Sequence, residues 1–193
     1  MMVRHGETED NIKKIYSRDS TVLTPRGIEQ IKNTKLNVKE LNFSKVYYSP
    51  LVRTKETLNY LGLEGIEEKR IREINFGIFA GLDYKTISEK YSYETEKWIS
   101  NPMDYRIPEG ENLKMVYKRV SEFLEELVKQ DEDVLLVVHD GIIRLVCCWV
   151  FNNIDYFFKF KVDNGSINII TIMDGYKYIS KLNYNPDCYS LDR

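Results

Sequence analysis

The chain contains only two histidines, His5 and His139, and they stand in matching local settings. Each closes a short apolar stretch, Met1-Met2-Val3 before Arg4-His5 and Val134 to Val138 before His139, and each is followed closely by a glycine, Gly6 or Gly141. Alone, either reads equally well as a capped or solvated loop histidine. Two at equivalent strand ends, with arginines close by, read differently. Imidazole is the side chain whose ordinary titration falls near neutral pH, so it can serve as nucleophile, base or hydrogen-bond donor there. Arg4 adjoins His5, and Arg53 falls in the first turn of a helix expected to begin at Ser49-Pro50. A guanidinium is a planar fork that matches phosphate oxygens in pairs, and a helix N-terminus already favours an anion. Two arginines, two imidazoles and a helix N-terminus together describe a pocket for a tetrahedral dianion that calls for neither a metal nor a cofactor.

That pocket exists only if elements far apart in sequence bring it together. Strand and helix signals alternate along the chain, the pattern of an α/β layered domain with a largely parallel sheet. Met1 to Val3 reads as a truncated strand. Thr24-Pro25 starts a helix, with Thr as cap and Pro in the first turn, running through Ile28, Ile31 and Leu36 to about Leu41. Val46 to Tyr48 reads as a buried strand, and Ser49-Pro50 opens the next helix by the same capping chemistry, with Gly62 at its end. Residues 66–81 read as irregular, anchored by Ile71, Ile74 and Phe76, and 82–111 as short helices and loops placed to cover a pocket. Apolar residues from Leu113 to Val128 recur at helical spacing. Asp133 to Val138 is a buried strand by composition, and a helix with Ile142, Ile143, Leu145 and Val146 follows. Asp174-Gly175 between two apolar stretches is a hairpin signal. In a parallel sheet the C-terminal strand ends share one edge, where ligands bind, so His5 and His139 can meet in space.

Length and composition set the outer bounds. The 193 residues, 42% hydrophobic and 30% charged, suit a single folded domain over residues 1–193. The formal charge of −2 provides no field for nucleic acid or an anionic membrane, so any anion site must be local. Cys147, Cys148 and Cys188 are odd in number and include no CxxC, which suits buried small side chains in a reducing cytoplasm better than a disulfide frame or a zinc site. No apolar run approaches the roughly 20 residues of a membrane span, and the first residues lack a signal-peptide core. A cytoplasmic location is expected. The sequence leaves the oligomeric state open, a homodimer included.

The motifs, taken in order, resemble those of the histidine phosphatase superfamily, which includes the cofactor-dependent phosphoglycerate mutases. Arg4-His5-Gly6-Glu7-Thr8 with Asn11 is similar to its signature. Ser49 to Thr57, Arg72-Glu73-Ile74-Asn75-Phe76-Gly77 with Gly81, Pro108-Glu109-Gly110-Glu111, and Val138 to Arg144 are similar to the motifs that follow. The resemblance spans residues 3 to about 151. It implies a three-layer α/β sandwich with a mostly parallel central sheet, and a phosphohistidine intermediate on His5. It implies further that Arg4, Arg53 and His139 hold the phosphoryl oxygens, that Asn11 adds a neutral hydrogen bond, and that Glu73 is the general acid and then the base. Without the resemblance Glu73 reads as a loop carboxylate paired to Arg70 or Arg72. Glu7 and Thr8 match the family and are expected to shape the loop.

Several positions depart from the family pattern. Only three residues precede Arg4, so either the start is misassigned or the first strand is short, and an unsupported strand would position His5 less firmly. Arg18 stands where the family often has glycine, free to reach either substrate or solvent. Ile78-Phe79-Ala80 keeps the family's aromatic and loses its acids. Asp140 replaces a glycine, and its carboxylate is expected to turn away from the phosphate.

A hydrolase and a mutase would share the phosphohistidine and differ in what collects the phosphoryl group. Residues 82–111 hold only Lys85, Lys90, Lys97 and Arg106 as cations, which favours hydrolysis of a small-molecule phosphate monoester over shuttling among highly charged phosphoglycerates. Trp98 and Tyr105 suggest a cover able to face a larger organic group. The stretch from Trp98 to Glu111 is similar to a loop of alpha-ribazole-5'-phosphate phosphatases, which act late in cobalamin assembly. The other readings are a broad-specificity or sugar-phosphate phosphatase, a phosphoglycerate mutase-type phosphoryl transferase, and a catalytically silent phospho-ligand binder.

Overall fold

The computed structural model describes residues 1–185; the expected polar tail and Cys188 lie outside the described residues. The elements follow in the order β1 (Met2–Arg4), α1 (Glu9–Ile12), α2 (Pro25–Val38), β2 (Lys45–Tyr48), α3 (Val52–Leu61), β3 (Ile66–Glu67), α4 (Tyr84–Lys90), α5 (Ser92–Ser100), α6 (Leu113–Val128), β4 (Val134–Val138), α7 (Asp140–Val150), β5 (Ile167–Met173) and β6 (Tyr176–Tyr184). The six strands form one sheet in the order β3-β2-β4-β1-β5-β6. The first four are mutually parallel, β5 runs antiparallel to β1, and β6 returns antiparallel through the Asp174-Gly175 hairpin.

Period-two alternation sorts the central side chains between two cores. Met2, Leu136 and Val138 join the α6–α7 side, with Val120, Phe123 and Ile143. Val3, Leu135 and Val137 join the α2–α3 side, with Ile31, Val38 and Leu58. Helices on both faces of the buried central strands make the three layers that the family resemblance implies. Cys147 and Cys148 are wholly buried in the first core, and burial pushes both thiols up to about 12. No helix among the described residues is long and apolar enough to cross a membrane.

Two local expectations change. The first strand is short but well held, because it is central: Met2, Val3 and Arg4 pair with Leu136, Val137 and Val138 on one side, and Met2 and Val3 with Asn168 and Ile167 on the other. The helix capped by Thr24 ends at Val38, and Leu36 faces solvent rather than the core.

Residues 82–111 contribute Ile87 and Ile107 to a satellite core with Phe79, against which Tyr16, Phe76 and Trp98 pack. Trp98 also contacts the α6–α7 core, so it serves mainly as a wedge between the two.

Candidate active site

β1 and β4 end side by side, and the next residue of each is a histidine. The backbone carries His5 into place through His5 N–H donating to Val138 O at 3.0 Å and His5 O accepting from Gly165 N–H at 3.2 Å. Asn164 Nδ2 also donates to His5 O at 3.2 Å and to Asn11 Oδ1 at 3.1 Å. The two imidazoles lie with ring centroids 5.2 Å apart, edge to face, and both are almost fully buried.

The hydrogen bonds of His5 define its tautomer. Nδ1–H donates to Gly6 O at 2.7 Å, so Nε2 carries the lone pair, and Arg53 Nε–H points to that nitrogen at 3.3 Å. Burial lowers the proton affinity of His5 well below the ordinary histidine range, and the Arg53 and Arg4 charges lower it further against the opposing Gly6 bond. The ring is therefore neutral, with its unprotonated nitrogen directed into the cluster and chemically able to act as a nucleophile.

Arg53 is wholly buried in the first turn of α3. Its Nη1 is anchored on Arg18 O at 2.9 Å, and burial brings its pKa down to about 10, which leaves it charged at neutral pH. Arg4 donates through Nη1 to Val162 O. Burial lowers its proton affinity too, partly offset by Asp140, Glu73 and Asp163.

His139 departs from the sequence expectation through its partner. Ser49 does not cap α3, whose N-cap is Leu51 and which has no side-chain cap. The Ser49 hydroxyl instead meets His139 Nε2 at 2.7 Å, because the turn through Pro50 delays the helix and leaves Ser49 at the strand end. Burial, then Arg53, His5 and Arg4, lower the proton affinity of His139 well below the usual range. When Ser49 donates to Nε2 the ring proton sits on Nδ1; that nitrogen and Arg4 Nε are buried without a protein partner.

Glu73 lies against the start of α7. Its Oε2 accepts from Gly141 N–H at 3.3 Å and its Oε1 from Ile74 N–H at 3.2 Å. It pairs with neither Arg70 nor Arg72, since Arg70 binds Glu68 and Glu126 and Arg72 binds Asp19. Burial raises its proton affinity above the ordinary carboxylate range. Asp140 raises it further, while Arg53 and the two N–H donors oppose the rise. Gly141 lets the carboxyl approach this closely: a Cβ would come within 2.5 Å of Glu73 Oε1.

Asp140 does not simply turn away. Its Oδ1 accepts from Arg144 Nε at 3.0 Å and lies 3.9 Å from Arg4 Nη1, so its charge is compensated within the cluster. Arg18 is exposed, with Nη2 donating to Gly81 O at 3.1 Å. Asn11 sits in the capping box of α1. Its Oδ1 takes donors from Thr8 N–H and Asn164, which leaves its NH2 as the group able to donate outward. Thr8 caps α1, and Glu7 accepts from Thr24 Oγ1, so both shape the loop.

The structure thus brings His5, His139, Arg4, Arg53 and Glu73 into one cluster. Sequence reasoning missed Ser49, whose Ser-Pro context reads as a cap, and Asn164, which carries no local signal. Among the described residues, no three of His, Cys, Asp and Glu gather closely enough to hold a metal ion.

Comparison with known proteins agrees with this geometry. A family model described as histidine phosphatase superfamily (branch 1) matches residues 1–185. Phosphoserine phosphatase 1 of Hydrogenobacter thermophilus is 31% identical over 191 residues, 95% of this chain and 90% of that protein. Fructose-2,6-bisphosphatase of Saccharomyces cerevisiae is 31% identical over 153 residues, 77% of this chain and 33% of that one. The crystal structure of the alpha-ribazole phosphatase from Shigella flexneri superposes with a TM-score of 0.88 at 26% identity, covering 94% of each chain.

Proposed function

Because the chain belongs to branch 1 of the histidine phosphatase superfamily and is a phosphatase, we propose that it hydrolyses small alkyl phosphomonoesters without a metal, through a phosphohistidine on His5. The observation that carries this reading is the convergence of one neutral, oriented imidazole with buried nitrogens that have no protein partner, His139 Nδ1 and Arg4 Nε. A buried donor left unpaired costs about 1–3 kcal/mol, and a phosphoryl group placed between the rings would satisfy both.

His5 Nε2 attacks phosphorus and the ester P–O bond breaks. The departing alkoxide takes the proton held by Glu73, leaving the Glu73 carboxylate and the phosphohistidine. Glu73 then takes a proton from water, whose oxygen attacks phosphorus. The N–P bond breaks, its electron pair returns to Nε2, and inorganic phosphate leaves with Glu73 protonated again. Arg4, Arg53, His139 and the Asn11 amide stabilise the charge that spreads over the equatorial oxygens.

Water is favoured over a second substrate hydroxyl as acceptor. The cations of 82–111 are engaged elsewhere: Lys85 lies near Glu89, Lys90 and Lys97 lie over Tyr91 and Tyr93, and Arg106 donates to Gly110 O. None is committed to a second phosphate. With Trp98 engaged in the two cores, the aromatic argument for a large organic group weakens, and phosphoserine ranks beside alpha-ribazole 5'-phosphate as a substrate.

The test is a panel of phosphoserine, alpha-ribazole 5'-phosphate, sugar phosphates and 3-phosphoglycerate, assayed for phosphate release in EDTA. The expected result is release that persists in EDTA and disappears in His5→Ala, with an acid-labile label on His5 after rapid quench. Phosphate binding without turnover would identify a silent binder instead, and isomerised phosphoglycerate would identify a mutase.

A further inference from the structure

Glu73 sits in a stretch with no regular ladder to hold it, between a 3₁₀ turn at Lys69–Ile71 and another at Gly77–Phe79. A proton donor in such a stretch needs its backbone fixed from outside, because a displacement of about 1 Å costs on the order of a hundredfold in rate. The fastening comes from two residues with no part in the chemistry described above. Arg119, on α6, donates Nη1 to Arg70 O at 2.6 Å and Nη2 to Glu73 O at 3.4 Å. The same guanidinium grips Glu111 side-on, Nε to Oε1 at 3.0 Å and Nη2 to Oε2 at 2.9 Å. Glu111 in turn takes both backbone groups of Asn75: Asn75 N–H donates to Oε2 at 2.9 Å, and Glu111 N–H donates to Asn75 O at 2.9 Å.

We propose that Arg119 and Glu111 form one positioning unit for Glu73, fastening the backbone at 70, 73 and 75 so that the carboxyl is held against the Gly141 amide. The proposal rests on the acid role given to Glu73 above. It also gives Pro108-Glu109-Gly110-Glu111 a function. Backbone packs directly on backbone there: a Cβ on Gly110 would meet Asn75 O at 2.4 Å, and one on Gly77 would meet Pro108 O at 2.0 Å. The loop before α6 is thereby applied flush to the strip that follows Glu73.

The charges support the same arrangement. Both side chains are about four-fifths buried. Burial alone would raise the Glu111 carboxyl, but the Arg119 bonds and charge, the Asn75 N–H and the Arg72 charge outweigh it and hold it below the ordinary carboxylate range. Glu111 is therefore ionised at neutral pH, and the two groups form an ion pair.

The discriminating measurement is kcat/KM, which reports phosphoryl transfer to His5 and excludes the shared hydrolysis step. It is compared for an alkyl phosphate and for p-nitrophenyl phosphate, whose phenolate leaves with little need of a proton. Glu111→Gln keeps the size and one acceptor, and Arg119→Lys keeps the charge without the fork. Each is expected to lower kcat/KM on the alkyl ester about tenfold or more, and on the aryl ester less than about threefold, in protein that is still folded at the assay temperature. Phosphate inhibition should be unchanged, because the phosphoryl ligands are untouched. Equal losses on both esters would assign the pair a merely structural role and overturn the proposal, provided Glu73→Gln shows the split. If Glu73→Gln itself shows no split, the acid role falls and the positioning unit falls with it.

Discussion

Replacing Gly141 by alanine isolates the placement of the proton donor from everything else in the cluster. The added Cβ would lie 2.5 Å from Glu73 Oε1, where ordinary contact begins near 3.4 Å. The carboxyl must therefore withdraw by about 0.9 Å, which breaks its 3.3 Å bond from Gly141 N–H and strains the 3.2 Å bond from Ile74 N–H. The clash falls on the free end of a side chain, so the backbone need not move. Gly141 is the second residue of α7, and alanine is the better helix former by up to about 1 kcal/mol. Stability should be unchanged or slightly higher. Activity should not be: a misplacement of about 1 Å is worth on the order of a hundredfold, or about 2.7 kcal/mol of barrier. Steady-state kcat/KM on an alkyl phosphate, paired with p-nitrophenyl phosphate and a thermal melt, reads all three quantities. The expected outcome is a large loss on the alkyl ester, a small one on the aryl ester and a melt that is unshifted or slightly raised. Full alkyl-phosphate turnover in Gly141→Ala would refute the placement of the acid.

Three other outcomes follow from the cluster. The depressed His5 keeps its nucleophile unprotonated as pH falls below the usual histidine range, while the raised Glu73 keeps its proton as pH rises above the usual carboxylate range. Alkyl-ester kcat/KM should thus fall on the alkaline side as Glu73 ionises, and Asp140→Asn should move that alkaline limb to lower pH by removing a repelling charge; a limb that stays put or moves upward would contradict the coupling. Ser49→Ala should cost about tenfold on both esters alike, since it releases the His139 tautomer that presents a donor to the phosphoryl group, and an unequal loss would place Ser49 on the leaving-group side. Inorganic phosphate should raise the melting temperature by satisfying the buried donors, with about 2.7 kcal/mol of stabilisation at a hundred times its dissociation constant, and Arg53→Met should abolish the shift.

Much of this arrangement was legible because its signals are local. A histidine after an apolar stretch and before a glycine reads as a strand end, and two such ends in a parallel sheet share an edge. The caps at Thr24 and Gly62 and the hairpin at Asp174-Gly175 appear where local chemistry puts them. What stayed hidden depends on partners distant in the chain. Ser49 carries the marks of a cap, and only the proximity of β4 gives it to His139 instead. The short apolar start before Arg4 looked unsupported because its neighbours, β4 and β5, come far later. Asp140 could not be oriented without Arg4 and Arg144 beside it, and nothing in a single turn of sequence ties Arg119 to the carbonyls of Arg70 and Glu73.

The central seat of β1 has a consequence for how the molecule comes into being. The strand that delivers His5 is the earliest in the chain, yet its hydrogen-bonding neighbours are Leu136 to Val138 and Ile167 to Asn168. Contacts this distant must wait for slow, non-local closure. A growing chain therefore carries the His5 imidazole without its cradle until at least Asn168 has been made, and the site closes only when the sheet zips shut over β1.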